Sequence, residues 1–326
     1  MDTVRVAIIG AGSLANSVHY PALTSLGNVE IVGICDLDSA RLASTAERFG
    51  IDQTFTNYRA MLDSLSPDAV YALMPPHVLF DIAMDVLERR HHLFIEKPPA
   101  ITTFQTQCLA RVASQNDLVT GVGFQRRYHP LVYACWEEVC KSGPIHQVIS
   151  CFYKNVAPAT PHPYYRGAID ILRCDAIHAV DSLRYYSGLA DVVNVSAEIR
   201  ELDCWYGASF NALVSFENGV VGALLTNWRT GRRLLKLEFH AYGASAYVDA
   251  DGTGSVYRDN EKRPCFEATA SGLVGSDANH ISQGFLAESA AFIEAIRSGH
   301  KLHNSIEDSV KTMELVDLIY ENAVRH

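Results

Sequence analysis

Through residue 122, hydrophobic positions fall into short β-branched runs separated by segments of helical period. Val4–Ile9, Val29–Cys35, residues 68–75, 92–96 and 118–124 read as strands, because four to eight apolar residues bounded by turn formers suit a buried strand. Between them "SARLASTAERFG", "YRAMLDSL", "LFDIAMDVLERR" and "FQTQCLARVASQN" carry apolar residues at helical spacing. Strands alternating with helices imply right-handed crossovers and a parallel sheet. Beyond residue 147 the pattern changes to longer strand-like runs: 148–155, 192–202, 209–228, 234–243 and 245–251. Glu217-Asn218-Gly219 marks a hairpin turn inside the third of these.

The first strand runs into Gly10-Ala11-Gly12-Ser13-Leu14-Ala15, a G-x-G-x-x-A sequence opening a helix. Gly10 permits the tight turn, Gly12 lets backbone approach a pyrophosphate, and Ala15 lets helix and strand pack closely. Amides at Ser13 and Leu14 are placed to bind phosphate. The second strand ends in Asp36, an acidic side chain that would accept from a ribose 2'-hydroxyl and repel a 2'-phosphate. The expected cofactor is therefore NAD in preference to NADP, with Arg41 nearby as the one cationic neighbour. Asp36 also reads as a helix N-cap before residue 39. In parallel sheets ligands sit at the carboxyl ends of strands, where Gly10, Asp36, Pro75-Pro76 and Glu96-Lys97 all fall. The stretch Glu96-Lys97-Pro98-Pro99 thus delivers a carboxylate and an ammonium to the rim where a nicotinamide would lie.

Composition narrows the partners. The chain has 326 residues, enough for two domains at roughly 150 each. Its formal charge of -10 argues against nucleic acid or an anionic membrane surface, both of which need a basic face. No apolar run approaches the roughly 18 residues of a membrane span. The N-terminus lacks the basic and apolar regions of a secretory signal, so a cytoplasmic location is expected. The eight cysteines form no CxxC pair, which suggests neither a zinc site nor a redox motif. His91-His92 looks like a metal pair but has no third ligand nearby, and no metal is expected.

Gly10–Ala15, Pro75-Pro76-His77 and Glu96-Lys97-Pro98 at these spacings resemble the glucose–fructose oxidoreductase, inositol dehydrogenase and rhizopine-catabolism (Gfo/Idh/MocA) family. "GFQRRYHP" (123–130) resembles the segment where that family's second domain begins. "FLAESAAFIEAIRSG" and "SIEDSVKTMELVDLIYENA" resemble its closing helices, with Ser305 and Asp308 as a capping box. The resemblance implies an α/β protein: an N-terminal Rossmann dinucleotide-binding domain over 1–122, then a C-terminal α/β domain over 123–326. The second domain is expected to contain a large, mostly antiparallel open sheet and the closing helices. An apolar sheet face left uncovered implies a homo-oligomer, dimer or tetramer.

The implied activity is oxidation of a hydroxyl on a small-molecule carbohydrate or polyol, with hydride passing to nicotinamide. Gly10, Gly12, Ser13, Leu14, Asp36, Pro75, His77, Glu96 and Lys97 would hold the cofactor, and Lys97 would be the principal acid/base. The family's second signature, Asp then three residues then His, falls on "ILRCDAIHAVDSLRYYSG". His178 and Asp181 are in place, but Cys174 stands where the acid is expected, and Asp175 lies roughly 100° further round a regular helix. Either Asp175 serves through a local adjustment, or the acid is absent and His178 works with Lys97. His178 and Arg127 are the expected substrate-binding residues. "PHPYYRG" and the arginines 126, 229, 232 and 233 are pocket-lining candidates, with solvated strand ends as the alternative. Two other readings stay open: redox-assisted glycoside cleavage, and a non-catalytic NAD-binding regulator.

Overall fold

The computed structural model describes residues 3–156 and 162–325. The chain divides into two units: residues 1–125 with 278–310, and residues 126–277 with 311–326.

The first unit is a doubly wound parallel sheet. Its strands are β1 (Val4–Ile9), β2 (Val29–Cys35), β3 (Thr54–Phe55), β4 (Ala69–Ala72), β5 (His92–Ile95) and β6 (Thr120–Val122). They lie in the order β3-β2-β1-β4-β5-β6, all parallel. The order reverses between β1 and β4, which opens a crevice at their carboxyl ends. Both strands are buried on each face, as helices on both sides of a parallel sheet require. The short β3 carries too few residues to show a period in the sequence. The helix Phe285–Ser298 belongs to this unit, since Phe292 and Ile293 pack into the core with Val4, Val6, Tyr71 and Phe94. This corrects the expected single cut at residue 122 with both closing helices beyond it: the apolar face of that helix is completed by the first sheet.

The second unit is built on nine strands: β7 (Ile145–Asn155), β8 (Val192–Arg200), β9 (Ser209–Phe216), β10 (Val221–Asn227), β11 (Arg229–Ala241), β12 (Ala244–Asp249), β13 (Thr253–Arg258), β14 (Phe266–Thr269) and β15 (Ala323–Arg325). Their order is β14-β13-β12-β11-β7-β10-β9-β8-β15, antiparallel except for the β7–β10 and β8–β15 pairs. The expected hairpin turn joins β9 to β10, with Gly219 at φ +84°. Alternate residues on one face, among them Val214, Leu224, Leu237 and Phe239, are fully buried. The opposite face carries Leu213 and Leu225 exposed, with Ala223 paired to Leu213 on one side and to Ile149 on the other.

Candidate active site

In the first unit the glycine turn follows from backbone demands. Gly10 has φ +112°, and a Cβ there would come within 2.5 Å of the Leu73 carbonyl oxygen, so only glycine fits. Gly12 differs: a Cβ would meet nothing within 4 Å, so its backbone borders open space. The chain becomes helical at Ser13, Ala15 is buried against β1, and the turn Ala15–His19 is wound as a π-helix. A turn free of side-chain bulk, opening a helix at the carboxyl end of β1, fits a dinucleotide pyrophosphate.

Asp36 stands beside that turn. One carboxylate oxygen accepts from the Ala11 amide and the other from the Asp38 amide, each at 2.8 Å. It is not the N-cap: Asp38 caps the helix Ser39–Phe49 by accepting from the amides of Ala40 and Arg41. The reason lies in the sheet, because the Asp36 amide still donates to Phe55 and postpones the helix by two residues. Arg41 leans back over both acids, 3.7 Å from Asp36 and 3.2 Å from Asp38. Pro75 precedes the helix Pro76–Glu88, with Pro76 at its first turn and His77 exposed beside it.

At the end of β5, Glu96 is buried and its side chain accepts from the Lys97 amide at 3.1 Å. Its other oxygen lies 2.8 Å from Nε2 of buried His19. Lys97 itself is half-buried and precedes Pro98 and Pro99. His91 and His92 are engaged with backbone, Nδ1 of His91 with the Pro67 carbonyl at 2.7 Å and Nδ1 of His92 with the Val119 amide at 3.0 Å.

In the second unit, Arg127 is fully buried and forked onto Asp181, with Nε–Oδ2 at 2.8 Å and Nη2–Oδ1 at 2.5 Å. Thr312 adds a third donor to that carboxylate at 2.9 Å. Arg127, expected to read substrate, has its planar fork matched by an internal carboxylate. Arg126 is buried as well, and burial, then repulsion from Arg233, pulls its guanidinium down to about 10.

The segment Leu172–Ala176 is wound as a π-helix before the α-helix Ile177–Tyr186 begins. Asp175 therefore lies in a stretch whose helical wind departs from the regular α-helix. Cys174, Asp175 and His178 are all buried. Asp175 accepts from Lys154 Nζ and from the Tyr164 hydroxyl, and Tyr164 in turn accepts from the Trp228 indole N–H at 3.0 Å. Burial, then the charge of Asp175, raises the Tyr164 phenol far above its ordinary value, which keeps it a neutral donor. Tyr164 lies in the singled-out "PHPYYRG", of which Pro161 is outside the described residues, and Trp228 leads "WRTGRR". Lys154 was missed, because a lysine at a strand end carries no signal of its partner. The remaining arginines hold surface acids: Arg229 pairs with Asp203, Arg233 with Asp251, and exposed Arg232 approaches Asp249 to 4.0 Å.

Residues 4–124 match the GFO_IDH_MocA profile, described as an oxidoreductase family with an NAD-binding Rossmann fold. The chain is 25% identical to the uncharacterized oxidoreductase YrbE of Bacillus subtilis, over 85% of this chain and 80% of that one. It is 22% identical to the D-xylose 1-dehydrogenase (NADP(+)) 2 of Haloferax volcanii, over 97% and 96%. Its fold matches a dehydrogenase from Chromobacterium violaceum with a TM-score of 0.88, at 21% identity over 99% and 96% of the two chains. The glycine turn, the acid at the end of β2 and the EKP segment at the end of β5 all fall within residues 4–124, and this part of the chain belongs to the Gfo/Idh/MocA oxidoreductase family with its NAD-binding Rossmann fold.

Proposed function

We propose that this chain is an NAD-dependent oxidoreductase that moves hydride between a hydroxyl-bearing carbon of a sugar, sugar derivative or polyol and nicotinamide. What carries the reading is the alignment of Gly10, Gly12, Asp36, Pro75 and Glu96-Lys97 along the carboxyl ends of one parallel sheet. The backbone around Gly12, Ser13 and Leu14 would hold the pyrophosphate, and Asp36 the ribose hydroxyls. Bound there, the nicotinamide would supply the hydride acceptor or donor. Lys97 would exchange the proton at the reacting oxygen, its ammonium polarising the carbonyl in the reverse direction. His178 and Asp175 are the further acid/base candidates of the same reading. Lys154 and Tyr164 fix the Asp175 carboxylate from two sides, so the acid is held still despite its shifted register.

NAD over NADP rests on Asp36, whose charge would repel a 2'-phosphate; Arg41, 3.7 Å away, would offset part of that repulsion. The buried Cys174 thiol at the expected acid position gives redox-assisted glycoside cleavage as the second reading. A homo-oligomer through the open face of the nine-stranded sheet belongs to the same proposal, and light scattering on a sizing column tests it. The deciding screen incubates the purified protein with free sugars, polyols, sugar phosphates and glycosides, each with NAD and with NADP. Net NADH from a free sugar or polyol supports the dehydrogenase. Aglycone release with catalytic NAD and no net NADH overturns it in favour of cleavage.

A further inference from the structure

The first unit contains a buried side-chain connection, made by His19, between its glycine turn and the Glu96-Lys97 segment. His19 closes the π-wound turn that follows the glycine sequence, and its ring is fully buried. The rings of Tyr71, Phe94 and Phe285 meet it edge-on at 6.3, 5.8 and 5.5 Å. In that apolar cage it has one hydrogen-bond partner among the described residues: Nε2 lies 2.8 Å from Glu96 Oε1, while Nδ1 is buried with none. A proton on Nδ1 would find no acceptor, so the hydrogen-bonding pattern puts the ring proton on Nε2, donating to Glu96.

Glu96 is thereby held on both oxygens, by His19 at 2.8 Å and by the Lys97 amide at 3.1 Å. A third side is closed by bare backbone, since a Cβ on Gly123 would come within 2.8 Å of Oε1. A buried carboxylate keeps a fixed plane only while its donors are present, because desolvation makes every lost partner expensive. Lys97 precedes a proline, which already narrows its backbone freedom. What remains variable is where its amide sits at the end of β5, and the Glu96 carboxylate fixes that.

We propose that His19 is a positioning residue: acting through Glu96, it sets the backbone of Lys97 and ties that lysine to the turn that would hold the pyrophosphate. The functional weight of this rests on the reading of Lys97 as the acid/base. A displacement of about 1 Å at a catalytic group can cost roughly 10²-fold, so loss of the His19 donor should lower turnover on the order of tenfold by the same principle.

The test compares His19→Gln with His19→Met. Both side chains are of similar length, and Met is well tolerated in aromatic surroundings. Only Gln places an N–H near the former Nε2. Each full-length protein is reductively methylated with carbon-13 formaldehyde, and the Lys97 resonance is identified by its disappearance in Lys97→Arg. NAD binding is followed separately by quenching of intrinsic fluorescence. The expected result is a Lys97 resonance that coincides in wild type and His19→Gln but moves toward the solvent-exposed lysines in His19→Met, with NAD affinity retained in all three. Coincident spectra for wild type and His19→Met, or equal displacement in both variants, would overturn the proposal. The readout does not depend on turnover. An active Lys97→Arg enzyme would remove the acid/base reading and leave the positioning result standing.

Discussion

Two helix starts carry this protein's candidate chemistry, and they are built on opposite logic. Both contain a π-wound turn, Ala15–His19 in the first unit and Leu172–Ala176 in the second. At the first, the chemistry is mainly backbone: Gly12 leaves room for a ligand, while the His19 side chain points inward to the buried Glu96 carboxylate. At the second, the chemistry is side chain: Asp175 counts only where its partners place it, and those partners, Lys154 and Tyr164, come from a strand end and a loop. Backbone sites are specified by which residue types can adopt a conformation. Side-chain sites are specified by contacts across the fold, and are exposed to a shift of one residue.

The largest expected effect sharpens the side-chain half. Arg127→Ala leaves Asp181 buried without its guanidinium, and urea unfolding should show a loss on the order of 3–5 kcal/mol. The double change Arg127→Met with Asp181→Leu should restore most of it; a double variant as weak as the single one would show that the pair is not a replaceable strut. On the backbone side, Gly10→Ala must adopt φ +112° against the Leu73 carbonyl, costing roughly 1–3 kcal/mol from the backbone conformation alone. Gly12→Val, with open space around its Cβ, should melt with the wild type while NAD affinity falls on the order of tenfold or more. Equal thermal shifts in the two glycine variants would break the distinction between a structural and a ligand-facing glycine.

A smaller effect is expected at Asp36. Asp36→Asn should narrow the preference for NAD on the order of tenfold, since hydrogen bonds to a charged group contribute about 1.5–3 kcal/mol. Competitive titration of the two cofactors measures it, and an unchanged ratio would move the selectivity to another residue. The smallest effect is a pH dependence. Burial holds the imidazoles of His91 and His92 below their ordinary value of 6.5, so the unfolded chain takes up protons first on acidification. Stability present above about 6.5 is then lost as pH falls through that value toward the folded-state one. The drop in melting temperature between neutral and mildly acidic buffer should shrink in His91→Gln with His92→Gln; an unchanged drop would place the sensitivity elsewhere.

The same division explains what could be read in the chain. β1 and β2 were legible to the residue, because β-branched runs closed by Gly10 and Asp36 admit few alternatives. The strands Thr253–Arg258 and Ala323–Arg325 were not: the first mixes Gly254 and polar residues, the second has three residues, and their pairing partners make them strands. At the site, Lys97 and His178 were named through the family resemblance, by the motif positions they occupy. The Arg127–Asp181 pair was not legible, because an arginine beside a domain boundary reads equally as a ligand or a strut and its acid comes from a helix 54 residues on. The capping of the second helix by Asp38 hung on one backbone hydrogen bond from Asp36 to Phe55.

The account's central claim is that Lys97 exchanges the substrate proton while NAD is held at the glycine turn. The most direct measurement is net NADH formation by Lys97→Met beside wild type, on the free sugar or polyol that gives the strongest wild-type signal, with NAD binding followed separately. The account predicts that Lys97→Met binds NAD as the wild type does and forms little or no NADH. A Lys97→Met protein that turns over like the wild type would contradict it.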